Sequence, residues 1–293
     1  LEYILSYRVF KNIEAQGIAM DLAGKIVIIT GAARGIGLET ALLLAKNHAR
    51  IFAVDIDKTG LGDLEEAFSR FGYSIKTFAG SVTDHEFMHS VRESVLAETK
   101  YIDIWINNAG IAQIKSFLQS SPDEFQRVMD INFHSVVAGT RLALEVMENR
   151  GFGLVVNVGS VAGYLPAPLM SSYNASKFAV VGFTKSIQAE LNYTSSPVKM
   201  MLVSPGFVDT QIVAKGQEQG FPEWLSFMLS TAKDVARDIV VGIKRGKTEI
   251  NPTFNGKLMR KMYSVFPDTT VRSSRILLSK NLKDFLTNKT SHR

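Results

Sequence analysis

From Lys25 onward, short apolar runs rich in β-branched residues alternate with longer stretches whose apolar positions recur every three or four residues. The runs KIVIIT at 25–30, RIFAVD at 50–55, SIKTFAG at 74–80, IDIWINNAG at 102–110, GLVVNVGS at 153–160 and KMMLVSPG at 199–206 read as six strands. The spacing between and after them predicts helices over 36–47, 61–71, 84–99, 122–149, 174–193 and 232–246. Segments that are apolar throughout, such as IVII and LVVNV, suit strands covered on both faces. Strand and helix taking turns predicts a single α/β unit: a doubly wound parallel sheet with helices on both faces.

At 293 residues and 46% hydrophobic content, the chain can bury one sizeable core and does not require a second domain. We divide it into an N-terminal extension (1–21), one α/β domain (22–251) and a basic C-terminal extension (252–293), helical where KLMRKMYSVFP is amphipathic. The leading stretch is interrupted by Glu2, Arg8, Lys11 and Glu14 and lacks the continuous apolar core of a secretory signal. No apolar run approaches the ~18 residues of a membrane span. The absence of cysteine removes disulfides and thiolate metal sites but leaves the redox compartment open; a cytoplasmic location is the expectation.

The net charge of +5 is uneven: Val241 to Arg293 holds twelve Lys or Arg against Glu249, Asp268 and Asp284. That tail could touch a membrane surface peripherally, dock on an acyl carrier, or simply be a solvated face. Nucleic acid is not an expected partner, because no recognition motif or aromatic stacking platform accompanies the charge. His48, His85, His89 and His134 show no metal-ligand spacing with carboxylates, so no metal is expected.

Candidate chemistry begins at the first strand–helix turn, Thr30-Gly31-Ala32-Ala33-Arg34-Gly35-Ile36-Gly37. Glycines there permit a tight turn and close approach of backbone to a pyrophosphate, whose charge the helix N-terminus would hold. Asp55 ends the second strand, where a carboxylate can accept bonds from both ribose hydroxyls and repel a 2′-phosphate. Arg34 argues the other way, since a cation in the turn could pair with that phosphate. We let Asp55 decide and expect NAD(H) to be favoured over NADP(H).

Ser160 ends a strand, and Tyr173 and Lys177 lie one helical turn apart on one face. A free phenol with a pKa of about 10 is a poor base at neutral pH, but an adjacent cation favours the phenolate. Asn107-Asn108-Ala109-Gly110 ends the fourth strand, so all these groups fall in the order that a crevice at the carboxyl ends of parallel strands requires.

Through TGAARGIG, Asp55, NNAG, Asn132, Ser160, YNASK and Pro205-Gly206, residues 22–246 resemble the short-chain dehydrogenase/reductase family with its Rossmann-type sheet. The resemblance implies that Ser160 bonds the substrate oxygen, Tyr173 transfers the proton, and Lys177 binds the nicotinamide ribose and lowers the Tyr173 pKa. It further implies that Asn132 holds a water in a proton relay. Asn108, Ala109 and Gly110 would line the adenosine side, and Pro205, Gly206, Val208 and Thr210 the nicotinamide half. Ser81 precedes Val82 where the family commonly has an Asp that touches the adenine, which implies weaker adenine contacts.

Ile111, Val161, Tyr164, Leu165, Phe207 and Ile212, with a lid stretch containing Phe221, Trp224, Leu225, Phe227 and Met228, suggest an apolar pocket. The expected activity is hydride transfer between NAD(H) and a secondary alcohol/ketone or alcohol/aldehyde pair, on a bulky apolar substrate of steroid, retinoid or acyl type. Val161, Leu165 and Phe207 join Ser160 and Tyr173 as substrate contacts. The alternative is a catalytically silent NAD(H)-binding regulator. By the resemblance, helices 123–149 and 174–193 pack against copies of themselves in a homodimer or homotetramer.

Overall fold

The computed structural model describes residues 20–206, 208–209 and 230–265. The N-terminal extension up to residue 19, the lid stretch with Phe207, Thr210 and Ile212, and the tail beyond 265 lie outside the described residues. In chain order the elements are β1 (Ile26–Thr30), α1 (Gly35–Lys46), β2 (Arg50–Asp55), α2 (Lys58–Arg70), β3 (Ile75–Ala79), α3 (His85–Thr99), β4 (Ile104–Asn107), α4 (Pro122–Met129) and α5 (Ser135–Arg150). There follow β5 (Leu154–Val158), α6 (Ser171–Tyr193), β6 (Lys199–Val203), β7 (Val208–Asp209), β8 (Ser230–Thr231), α7 (Ala232–Lys244), β9 (Glu249–Ile250) and α8 (Phe254–Val265).

Seven strands pair in parallel in the order β3-β2-β1-β4-β5-β6-β9, giving the doubly wound Rossmann-type sheet. The strand composition follows from its two covered faces. In β1, Val27 and Ile29 join a core with Leu44 of α1, Leu64 and Phe68 of α2 and Ile239 of α7. Ile26 and Ile28 point the other way, into a core with Val91 and Val95 of α3 and Ala143 and Met147 of α5. A strand whose successive side chains serve two dry cores has no polar position to alternate with. At the lower end of the sheet, fully buried Asp103 accepts from the Ile26 amide at 2.8 Å and from Arg150 at 3.0 Å, tying β1 to the start of β4.

The helix expected over 122–149 is interrupted. A capping box between Ser121 and Glu124, with Pro122 in the first turn, starts α4. A π turn over Asp130–His134 then separates α4 from α5. The turn widens the helix where buried Asn132 bonds neighbouring elements instead of solvent. Helix α2 starts three residues before the expected Leu61, because the Asp57 side chain caps it by accepting from the Gly60 amide at 3.0 Å. Helix α6 likewise begins at Ser171 rather than Asn174, placing Tyr173 within its first turn. The chain order reverses between β1 and β4, so the carboxyl ends of these strands open a crevice there.

Candidate active site

The glycine turn is fixed by the turn after β4. Asn108 donates through its side-chain amide to the carbonyls of Thr30 (2.9 Å) and Gly31 (3.0 Å). The Thr30 hydroxyl accepts from the amides of Asn108 (3.0 Å) and Ala109 (3.1 Å). Gly31 has φ +66, and a Cβ there would lie 2.7 Å from Ala109 Cα; a Cβ at Gly37 would lie 2.0 Å from the Gly31 carbonyl oxygen. Only glycine permits this packing. Arg34, the N-cap of α1, provides no side-chain cap to the helix that Gly35, Ile36 and Gly37 begin. An uncapped helix start with closely packed glycines fits a pyrophosphate group.

Asp55, 9% exposed, accepts from the Ala33 amide through one oxygen and from the Asp57 amide through the other, each at 2.9 Å. Each carboxylate oxygen retains a second lone-pair direction for a sugar hydroxyl. Arg34 pairs with Asp57 at 2.8 Å, so much of its charge is already answered by a carboxylate. Beyond Asp55, Ile56, Ser81, Thr83, Gln126, Arg127 and Ile131 line a cavity of about 330 Å³. Ser81 and Thr83 share a hydroxyl–hydroxyl bond of 2.7 Å across Val82, which itself packs on the core under β1 and β2.

Ser160, Tyr173 and Lys177 come together at the carboxyl ends of β5 and β6. Helix α6 begins beside the segment 160–165 because Asn174 bridges them, donating to the carbonyls of Ala162 (2.9 Å) and Leu165 (3.0 Å). Burial pushes the Tyr173 hydroxyl above its usual pKa, while the neighbouring Ser160 hydroxyl pulls the other way. The Ser160 hydroxyl accepts from the Ala162 amide at 3.1 Å and makes a long 3.4 Å contact to the Pro205 carbonyl. The protein acceptor within reach of its single proton is therefore the Pro205 carbonyl.

Lys177 is 4% exposed and donates to the Val158 carbonyl at 3.0 Å; its Nζ lies 5.8 Å from the Tyr173 ring centroid. Burial lowers its pKa to about 8. Among the described residues no carboxylate pairs with it. Two of its three protons thus remain for a bound group. Gly110 lies alongside: a Cβ there would be 3.7 Å from Lys177 Nζ and 3.3 Å from Asn132 Oδ1.

The fully buried Asn132 accepts from the Ile111 amide and donates to the Ile111 carbonyl, both at 2.8 Å, and donates to Ser176 Oγ at 3.0 Å. Both its amide protons are spent on protein, so its side chain fixes the loop after Gly110 to α6. Val161 and Leu165 are buried beside Ser160, and Val208 is buried beyond Gly206. Several contributors had no individual role assigned from the sequence: Thr30, Asn107, Asn174 and Ser176, which lie inside the quoted motifs, and Asn157, whose 2.8 Å bond with Asn107 joins β4 to β5 beneath the site. Their signal was a polar residue at a position whose periodicity required an apolar one.

With this geometry in view, the comparisons agree on a family. The sequence matches the family model of short chain dehydrogenases over residues 25–220, and the chain belongs to that family. It is 32% identical over 235 residues to a protein named putative oxidoreductase SadH from Mycobacterium tuberculosis, covering 78% of this chain and 85% of the relative. It is 33% identical over 200 residues to the 3-oxoacyl-(acyl-carrier-protein) reductase FabG of Thermotoga maritima, covering 68% and 80%. In fold it is similar to a short chain dehydrogenase/reductase of Burkholderia phymatum solved in complex with NAD, with a TM-score of 0.75 and 24% identity over 84% of this chain and 96% of that one. No helix among the described residues is long and apolar enough to cross a membrane.

Proposed function

We propose that the protein is an NAD(H)-dependent oxidoreductase interconverting a bulky, apolar secondary alcohol and its ketone, or an alcohol and its aldehyde, with Tyr173 as acid/base. The observation that carries this reading is the buried Lys177 ammonium, held by one backbone carbonyl beside the Tyr173 ring and paired with no described carboxylate. A structural lysine would be expected to sit against an acid; this one keeps two donors for ribose hydroxyls.

The nicotinamide, when bound, supplies or accepts the hydride. Gly31, Arg34, Gly35, Ile36 and Gly37 would hold the pyrophosphate, and Asn108, Ala109 and Gly110 would shape the floor of the crevice. The cavity between Ile56, Ser81 and Arg127 would take the adenine next to Val82. Asp55 would accept the adenosine ribose hydroxyls, and Pro205, Gly206, Val208 and Thr210 would adjoin the nicotinamide. A carboxylate held by two backbone amides at this position resists a 2′-phosphate, which supports NAD(H).

Ser160 would donate to the substrate oxygen and Tyr173 would give or take the proton at its hydroxyl, with the Lys177 charge stabilising the phenolate. Asn132 would act by fixing the Gly110–Ile111 backbone, and with both amide protons spent on protein its side chain could meet a relay water only through the second lone pair of Oδ1. Buried Val161 and Leu165 support an apolar substrate. The outward face of α6, where Phe178 is 43% exposed, supports a homo-oligomer.

The test is oxidation of NADH and NADPH against a panel of ketones and aldehydes, with the reverse alcohols, in wild type and Tyr173→Phe. The expected result is turnover preferring NADH that falls at least ~100-fold in Tyr173→Phe while NADH binding persists. Cofactor binding without turnover across the panel would favour the silent regulator instead.

A further inference from the structure

The peptide unit joining Pro205 to Gly206 is gripped at both ends by parts of the chain far apart in sequence. Its carbonyl accepts from the Val161 amide at 2.7 Å and faces the Ser160 hydroxyl at 3.4 Å. Its N–H donates to the Thr253 hydroxyl oxygen at 3.0 Å. Thr253 is 1% exposed, and the same oxygen accepts from the Gly256 amide at 3.1 Å, so it also caps the first turn of α8.

The backbones meet there at close range. A Cβ at Gly206 would lie 2.4 Å from Thr253 Oγ1 and 3.1 Å from Gly256 Cα; a Cβ at Gly256 would lie 2.5 Å from the same oxygen and 3.2 Å from Gly206 Cα. Two facing glycines are what allow one hydroxyl to serve both amides. Further along α8, Arg260 stacks on Tyr164 with its guanidinium carbon 3.9 Å from the ring centroid and bonds Glu249. Glu249 also accepts from the Tyr164 hydroxyl at 2.9 Å. The helix is therefore fastened both to the turn after β6 and to the segment that follows Ser160.

We propose that Thr253 is a positioning residue for Ser160, acting through the Pro205–Gly206 peptide; this rests on the role given to Ser160 above. The chain of cause is short. The Ser160 proton has two acceptors to choose between, a substrate oxygen and the Pro205 carbonyl. The tilt of the peptide plane sets how strongly the second competes, and Thr253 holds that plane from its far side. Without the Thr253 oxygen, the Gly206 amide loses its buried acceptor, the plane turns to find another, and the Ser160 hydroxyl no longer points reliably at a substrate oxygen.

The test compares Thr253→Val, which keeps the shape and removes the acceptor, with Thr253→Ser, which keeps the acceptor, each in wild-type and Ser160→Ala backgrounds. Steady-state kinetics, NADH affinity and the hydrogen exchange of the Gly206 amide are read for each. Thr253→Val should lower kcat about tenfold with KM nearly unchanged and speed exchange at Gly206, and Thr253→Ser should restore kcat to within about threefold. In the Ser160→Ala background, Thr253→Val should have little further effect on kcat, because the group it positions is gone.

A wild-type kcat in Thr253→Val overturns the inference, as does equal damage from Val and Ser or an unchanged loss in the Ser160→Ala background. If Thr253→Val does not fold, the comparison passes to Thr253→Ala, where the same double-substitution result decides. Absence of turnover in the wild type would instead sink the oxidoreductase reading and the role of Ser160 with it. Slow Gly206 exchange in wild type that stays slow in Thr253→Val would overturn the clamp irrespective of activity.

Discussion

Replacing Lys177 by Met should make the protein more stable at neutral pH while abolishing its proposed activity. Burial lowers the Lys177 pKa from 10.5 to about 8. At pH 7 the folded protein therefore carries a charge whose desolvation weakens the fold by about 3 kcal/mol. Met occupies a similar volume without the charge, but it leaves the Val158 carbonyl without its 3.0 Å donor, a loss of about 1 kcal/mol. The net gain is about 2 kcal/mol, a rise in Tm of about 5 °C for a domain of this size.

The pH dependence identifies the cause. Unfolded, the lysine keeps its proton until about pH 10.5; folded, it releases it near pH 8. Between these values the unfolded state binds more protons, so wild-type stability climbs with pH and the advantage of Met shrinks, crossing zero near about pH 10 and leaving Met the less stable by up to about 1 kcal/mol at higher pH. Urea and thermal unfolding without cofactor from pH 7 to 10.5 measures this, alongside turnover, which should fall at least ~100-fold. A variant less stable than wild type at pH 7, or more stable by an amount that ignores pH, would refute the assignment of Lys177 as a buried, uncompensated charge kept for function.

Three further outcomes follow from the same geometry. Asp55→Ser should move the ratio of kcat/KM for NADPH over NADH upward by about tenfold or more and lower stability by about 1–3 kcal/mol through the Ala33 and Asp57 amides; an unchanged ratio would mean that Asp55 does not select the cofactor. Gly37→Ala puts a Cβ 2.0 Å from the Gly31 carbonyl oxygen, so a loss of about 2–3 kcal/mol in unfolding and a weakened NADH Kd are expected, and wild-type values for both would contradict the glycine-turn packing. Burial pushes the Glu249 carboxyl up, but bonds from Arg260 and Tyr164 more than reverse this and hold its pKa below the usual 4.5. Its contribution is thus present above pH 4.5 and lost as pH falls through the depressed value, so Glu249→Gln should be less stable by about 1 kcal/mol at pH 7, with a deficit that shrinks as pH falls below 4.5 in a denaturant series.

Much of the fold was legible because its signals are local. Six strands read as short runs rich in β-branched residues, the central ones dry throughout, and the helices between them as three-and-four periodicities, since a strand covered twice and a helix covered once leave different patterns. Tyr173 and Lys177 were legible because a helix fixes the geometry of residues four apart, and the glycine turn because its φ values and close contacts exclude side chains. The rest was not. Strand β9 has two residues and no period to read; it exists because β6 offers an edge. The break at Asn132 is invisible in a sequence that stays helical on both sides, and it arises from bonds to Ile111 and Ser176.

The sequence by itself determined which groups stand at the carboxyl ends of the strands, because strand and helix order places them there. Only the tertiary structure decided how those groups are held: that Asn132 spends its amide on the protein, that Arg34 answers Asp57, and that Thr253 grips the peptide beside Ser160 from 47 residues beyond Gly206. The physical reason is that a hydrogen bond between distant segments leaves no periodic trace in either one; it exists only when packing has brought a buried donor to a buried acceptor.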